Sequence, residues 1–211
     1  MVRKLAVSAL ILLAAGGCSR VGDITEGGIS ALRSACPRVG VPAGTGDITI
    51  FDPPASREAK AIDVSATLTN VTSTCDDAGE QILTVVNFDV LGTRAAAGPA
   101  REVSLPYFIT VVRGGTSVIA KSINRVTLRF EAGQTRASAK GEARSQVARA
   151  AASLPEDVRT RLSEKRKAGD QSAAMDPLAD PAVRQAVLAA TFEALVGFQL
   201  TEDQLKYNVT R

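Results

Sequence analysis

Alternation of apolar and polar residues along the middle of the chain is typical of β-strands that have one buried and one solvated face. Residues 62–69 alternate Ile, Val, Ala and Leu with Asp, Ser, Thr and Thr, and Ile82, Thr84, Val86, Phe88 and Val90 share one face of a second strand. Further apolar or β-branched runs, bounded by Pro, Gly or acidic residues, occupy 48–51, 103–112 and 117–130. Several strands joined by tight turns predict an antiparallel β-sandwich or a curled sheet.

Turn residues and one proline refine this expectation. Gly114 and Gly115 stand between two of the runs, and paired glycines supply the positive φ angles of a tight hairpin. Pro106 interrupts the run 103–112, which predicts an edge strand or a bulge there. Residues 135–147 are rich in alanine and fit either a last strand or the start of a helix.

Helical signals dominate the last third of the chain. Pro155, followed by two acidic residues, is a helix start. Asp180 begins a second helix, predicted to run to about Val196, and Thr201 with Gln204 forms a capping-box signal for a third. The apolar positions of the second helix cover most of its circumference, so we expect it to be buried against the sheet: Val183, Val187, Leu188, Phe192, Leu195 and Val196. The predicted fold class is therefore α+β, with an antiparallel β domain over 46–150 and a helical region over 151–211 packed on it.

The first 18 residues have the three parts of an export signal. Arg3 and Lys4 form a positive start, residues 5–15 form an apolar run, and small residues precede Cys18. A membrane-spanning helix needs about 20 apolar residues and this run has about 11, so the pattern favours a cleaved signal. The alternative of a plain secretory signal would leave Cys18 as a spare thiol.

Small residues followed at once by Cys18 resemble the lipobox of bacterial lipoproteins. The resemblance implies that residues 1–17 are removed and that Cys18 carries acyl chains such as palmitate. Each buried methylene contributes about 0.8 kcal/mol, so several chains make a stable anchor. Asp after the cysteine favours inner-membrane retention in such lipoproteins. Ser19 therefore points to the outer membrane, with the domain in the periplasm. On this interpretation Cys18 is the lipid anchor, and the rest of residues 18–45 tether the domain to it.

Two further cysteines, Cys36 and Cys75, lie in the exported part of the chain, where oxidation is permitted. Two spare thiols in such a compartment most simply form a disulfide. A redox or catalytic role lacks support, because the spacing is far from Cys-x-x-Cys and the chain contains no histidine to activate a thiol.

Charge and composition exclude several functional classes. Without Arg3 and Lys4, the mature chain has 23 basic and 22 acidic residues. It therefore lacks the excess of positive charge that is typical of nucleic-acid-binding proteins. The absence of histidine removes Ser-His-Asp and Cys-His catalysis and imidazole metal sites. No phosphate-binding or nucleophile-elbow glycine motif is present, so no cofactor and no catalytic residue is predicted.

A basic run in the first predicted helix and an acidic cluster remain as weak candidates. The run could contact anionic lipid headgroups, although a solvated helix face explains it as well; its members are Arg159, Arg161, Lys165, Arg166 and Lys167. Asp76, Asp77 and Glu80 could hold calcium, but their spacing does not match an EF-hand.

The sequence favours a lipid-anchored envelope protein with a non-catalytic binding or structural role in an envelope assembly, acting with a protein partner of unknown identity. A carrier of a small apolar ligand held between sheet and helices is the first alternative. A histidine-free carboxylate enzyme is the second, and two perturbed carboxylates in one cleft would indicate it.

Overall fold

Two four-stranded sheets packed face to face form the body of the protein. The structure, a computed structural model, describes residues 34–164 and 175–210 together with residues 24–25 and 28–29. These residues divide into two units, of which the smaller contains the antiparallel pair β1 (Ile24–Thr25) and β2 (Gly28–Ile29). Cys18 and the predicted export signal lie outside the described residues.

All other elements belong to the larger unit. Its strands are β3 (Arg38–Gly40), β4 (Asp47–Phe51), β5 (Ile62–Asp76), β6 (Gln81–Arg94), β7 (Arg101–Arg113), β8 (Ser117–Phe130), β9 (Arg136–Ala148) and β10 (Phe192–Phe198). Its helices are α1 (Arg149–Ala152), α2 (Glu156–Ser163), α3 (Pro181–Ala189) and α4 (Glu202–Thr210). The first sheet has the order β3-β10-β7-β8 and the second the order β4-β5-β6-β9, and every pairing except β3 with β10 is antiparallel. The predicted α+β class with a sandwich-like, curled sheet is confirmed.

Alternating side chains from both sheets fill the space between them, as the period-two pattern predicted. The largest fully buried side chains include Phe88 of the second sheet and Leu105, Phe130 and Phe198 of the first. The rings of Phe88 and Tyr107 meet edge to face across the two sheets, with centroids 5.0 Å apart. A second cluster of buried side chains lies at the other end of the sandwich and contains Ile82, Val111, Val147, Ala152 and Phe192.

The predicted disulfide is present. Cys36 and Cys75 are joined, with their Cα atoms 6.1 Å apart. Cys36 also packs against the second buried cluster. The bridge therefore fastens the segment before β3 to the end of β5.

The stretch that contains Pro106 is not an edge strand, although it does contain a bulge, at Val111 and Val112 rather than at the proline. The strand containing it, β7, lies between β10 and β8. Pro106 is opposite Arg125 of β8, while β10 ends at Phe198 opposite Tyr107. Gln199 donates its backbone N–H to the Pro106 carbonyl just beyond the end of β10. The missing proline N–H therefore lies where the ladder with β10 has ended, and no strand hydrogen bond is lost.

The predicted helix from Asp180 to about Val196 is correct only in its first half. It begins as expected, with the Asp180 carboxylate accepting from the Ala182 N–H, but it ends at Ala189. Phe192–Phe198 is instead the strand β10, antiparallel to β7 and parallel to β3. Four alternate residues of this strand are buried, namely Phe192, Ala194, Val196 and Phe198. Residues 136–148, whose sequence fitted either a strand or a helix, form the strand β9.

The last helix is fixed by the predicted capping box. The Gln204 side chain accepts from the Thr201 N–H, and Thr201 Oγ1 accepts from the Gln204 N–H. Asn208 donates to the carbonyls of Gly44 and Asp47, so α4 closes the β4 side of the sandwich. Within the described residues, no helix is long and apolar enough to span a membrane.

Candidate functional site

One opening in the sandwich lies between β8 and β9. These strands follow one another through residues 131–135, yet they lie at the edges of different sheets. Among the described strands, β8 pairs with β7 alone and β9 pairs with β6 alone. We call residues 117–125 of β8 and 140–148 of β9, which face each other without pairing, the seam.

One hydrogen bond closes the seam at the end nearer the β8–β9 turn. Tyr107 of β7 donates its hydroxyl to the Glu142 carbonyl of β9, with the two oxygens 2.6 Å apart. Burial raises the pKa of the Tyr107 phenol above its usual value, and the Glu142 charge raises it further. The neutral phenol therefore remains a hydrogen-bond donor between the sheets at physiological pH.

The Tyr107 contact depends on a glycine beside it. Gly141 is the β9 residue directly opposite Phe88 of β6. A Cβ atom at position 141 would lie 2.2 Å from two atoms of the Phe88 ring, so only glycine lets the ring lie across β9. The same ring meets Tyr107 edge to face. Glycine at 141 thus brings the two sheets together at this level.

Beyond Tyr107 the seam opens into a cleft of about 280 Å³. Its floor contains Ile109 and Val111 of β7. Its walls are formed by Ala120, Lys121 and Ser122 of β8 and by Arg144, Ser145 and Gln146 of β9. The cleft therefore combines an apolar floor with hydroxyl and cationic side chains.

Two buried hydroxyls on the inner face of the second sheet have no hydrogen-bond partner among the described residues. Thr84 of β6 is 1% exposed and Ser145 of β9 is 8% exposed, and the two are directly opposite each other. Ser145 lines the cleft. A buried polar atom without a partner costs about 1–3 kcal/mol, so these hydroxyls can be satisfied by a water molecule or by a polar group that enters the cleft.

The half of β8 that borders the cleft exposes large apolar side chains. Val118, Ile119 and Ile123 are 62%, 49% and 58% exposed. The register between β7 and β8 shifts at Val111 and Val112, which leaves Ile119 as an extra residue in β8. The other half of β8 is different, because Val126, Leu128 and Phe130 are buried between the sheets.

The seam carries four basic side chains and one acidic side chain. Lys121, Arg125, Lys140 and Arg144 are the basic ones, and Glu142 is the acidic one. Glu142 pairs with Arg144, with Nε and Oε1 2.7 Å apart, and Lys121 lies over the Phe108 ring. Within the described part of the chain, Arg125 and Lys140 form no salt bridge. The seam is therefore electropositive.

A larger cleft of about 500 Å³ lies at the opposite end of the sandwich, and most of its charged side chains have partners within the protein. Arg94 is 5% exposed and donates to four backbone carbonyls in the loops 95–100 and 131–135. Arg101 forms two hydrogen bonds to Asp63, of 2.8 and 2.5 Å, which lower the pKa of the Asp63 carboxyl and raise that of Arg101. These contacts hold the loops in place, and none of the buried unpartnered side-chain atoms among the described residues lines this cleft.

The basic residues proposed for lipid headgroups are only partly described. Arg159 is paired with Glu156, and Arg161 is paired with Asp180 at 3.1 Å. Lys165, Arg166 and Lys167 lie outside the described residues. A contact between this run and lipid headgroups therefore stays a prediction. In the described segments, no three His, Cys, Asp or Glu side chains converge as a metal site would require. Asp76 instead accepts from the Ala78 N–H in the β5–β6 turn.

Sequence reasoning missed the seam. Its sequence signal is a basic residue at every fourth position of both strands, at 121, 125 and 129 in β8 and at 136, 140 and 144 in β9. Residues four positions apart lie on the same face of a strand, so each trio of basic residues shares one face. Comparison with protein-family models, with curated proteins and with solved structures finds no match for this chain.

Proposed function

We propose that this chain is a lipid-anchored cell-envelope protein that binds a protein partner through the seam, in a non-catalytic accessory role. The observation that carries the proposal is the exposure of Val118, Ile119 and Ile123 along an edge strand. Edge strands in monomeric proteins are usually short, covered or protected, because unpaired backbone groups beside apolar side chains promote association. A contiguous apolar surface rimmed by charges is typical of a protein–protein contact.

The anchor rests on the N-terminal pattern that ends at Cys18. Acylation there would hold the β domain close to the membrane that contains its partner, which raises the partner's effective concentration. Cys18→Ser tests the anchor. We expect the variant to lose incorporation of labelled palmitate and to keep its signal peptide uncleaved. Membrane-bound, correctly shortened Cys18→Ser protein would contradict lipidation.

Binding through β8 is tested by photocrosslinking in intact cells. A photoreactive amino acid at Ile123 should give one dominant crosslinked product. The same amino acid at Leu91 is the matched control, because Leu91 is 53% exposed but lies on β6, an inner strand of the second sheet. We expect no crosslinked product from position 91. Equal products from both positions, or none from position 123, would refute the proposed binding surface.

A further inference from the structure

We infer that the seam accepts one extended, acidic segment of the partner, which adds as a strand to both β8 and β9. This inference rests on the proposed function and names the chemistry of the partner. Strand addition at a sheet edge derives affinity from backbone hydrogen bonds and specificity from alternate side chains. Both facing edges of the seam are unpaired in the described structure.

The spacing of strands and sheets favours a single inserted strand. Packed sheets lie about 10 Å apart, and neighbouring strands in a sheet lie about 4.8 Å apart. A gap of about two strand spacings between two edge strands therefore holds one extended chain that reaches both edges. We assign the inserted segment to the cleft beyond Tyr107, where β8 and β9 leave an opening of about 280 Å³.

Alternation along the strands assigns chemistry to the two sides of the inserted segment. The buried residues of β8 are even-numbered (Val126, Leu128 and Phe130), and those of β9 are odd-numbered (Ala143, Ser145 and Val147). The four basic residues have the opposite parity in each strand, so they lie on the outer faces of the sheets. Outward side chains of a segment in the cleft would therefore meet Lys121 and Arg144, with Arg125 next along β8, which favours Asp and Glu. Inward ones would meet Ile109, Val111 and the unpartnered Ser145 hydroxyl, which favours small apolar or hydroxyl side chains.

The same charges argue against a second copy of this chain as the occupant. In an antiparallel β8–β8 pair centred on Ile123, Lys121 of each copy would oppose Arg125 of the other. Like charges directly opposite each other destabilise a strand pair. The basic residues therefore select an acidic partner and at the same time oppose self-association.

The test uses synthetic peptides as probes of the purified mature chain. The first peptide alternates Glu with Val and Ser over about nine residues, the length of the exposed half of β8. The second carries Lys in place of Glu, and the third keeps Glu but has a central Pro, which removes a backbone donor. We expect the first peptide to bind at least about tenfold more tightly than either control, because charge and strand pairing are both needed. It should also slow amide hydrogen exchange in residues 117–125 and 140–148.

Two variants locate the binding. Ala120 lines the cleft and is exposed, so Ala120→Trp should fill the cleft without disturbing the core and should weaken peptide binding about tenfold. Leu91→Trp, on the outer face of β6, should leave binding unchanged. Equal loss in the two variants would contradict binding in the cleft.

Other outcomes also overturn the inference. Equal binding of the Lys peptide would refute charge selection, and equal binding of the Pro peptide would refute strand pairing. Protection of the seam by phosphatidylglycerol vesicles but not by the acidic peptide would assign the basic residues to a lipid surface. Failure of peptide binding, with the crosslink from position 123 intact, would leave the proposed function standing and remove only the strand mode.

Discussion

Gly141→Ala tests whether the contact between the sheets at Tyr107 depends on a ring lying across β9. The added Cβ would lie 2.2 Å from the Phe88 Cε2 and Cζ atoms, more than 1 Å inside ordinary carbon–carbon contact. Phe88 is 2% exposed and abuts Tyr107, so its ring cannot move without disturbing the hydroxyl that donates to Glu142. Overpacking of this kind costs about 1–3 kcal/mol, offset by about 0.4–1 kcal/mol from the lost flexibility of the unfolded chain.

We therefore expect a net loss of about 1–2 kcal/mol, which for a chain of this size lowers Tm by about 2–8 °C. Thermal unfolding followed by circular dichroism measures it. Gly79→Ala is the matched control, because the nearest atom to its added Cβ is 3.8 Å away, and its Tm should stay near that of the parent. In a double-mutant cycle, Phe88→Leu should cost less in the Gly141→Ala background than alone, since the smaller side chain relieves the overlap. An unchanged Tm in Gly141→Ala, or an additive cycle, would refute this account of the contact.

Three further predictions concern the core, the disulfide and an ion pair. Phe192→Ala should cost about 3–5 kcal/mol by urea unfolding, because the ring is 4% exposed in the second buried cluster, and a loss below 1 kcal/mol would place it outside the core. Replacing Cys36 and Cys75 by Ala should cost about 4 kcal/mol, since the bridge spans 39 positions of the chain, and unchanged stability would show that the bridge is absent in solution. Asp63→Asn should cost less than about 1 kcal/mol at neutral pH, because Arg101 is 44% exposed. The Asp63 pKa is lowered in the folded state, so this difference from the parent should be full above about pH 4 and disappear as the pH falls further; a constant difference would contradict the ion pair.

Local patterns predicted most of the strands, because each buries one face and so alternates in sequence. The alternate buried residues of β6 show this, as do Val126, Leu128 and Phe130 at the end of β8. The capping box of Thr201 and Gln204 was also predictable, because its partners are three residues apart. These signals lie within a few residues of the chain and need no knowledge of the tertiary fold.

β10 could not be predicted in this way. Phe192, Leu195 and Val196 continue the helical spacing of α3, while Phe192, Ala194, Val196 and Phe198 fit a strand equally well. Pairing with β7 and β3, far away in the sequence, decides between them. Gly197 gave no local sign of a strand, because glycine commonly follows the end of a helix; in the structure, an added Cβ there would lie 2.3 Å from Thr45 Oγ1.

The seam could not be predicted for a related reason. The sequence predicts β8 as a strand. Which of its apolar residues are exposed, however, depends on its neighbours in the fold. Its free edge depends on the order of strands in two sheets, and on β9 joining β6 after the turn. Pro106 shows the same dependence, because a proline within an inner strand is tolerated only where the neighbouring strand has ended.

Amide hydrogen exchange in the seam tests the central claim most directly. It should be measured by mass spectrometry on the purified chain and on the chain in native envelope membranes. We predict that residues 117–125 exchange faster than 126–130 in the purified chain, because 117–125 are exposed whereas Val126, Leu128 and Phe130 are buried between the sheets. We also predict that the membranes slow the exchange of 117–125 selectively. Protection of 117–125 already in the purified chain, or no change in the membranes, would contradict a partner-binding seam.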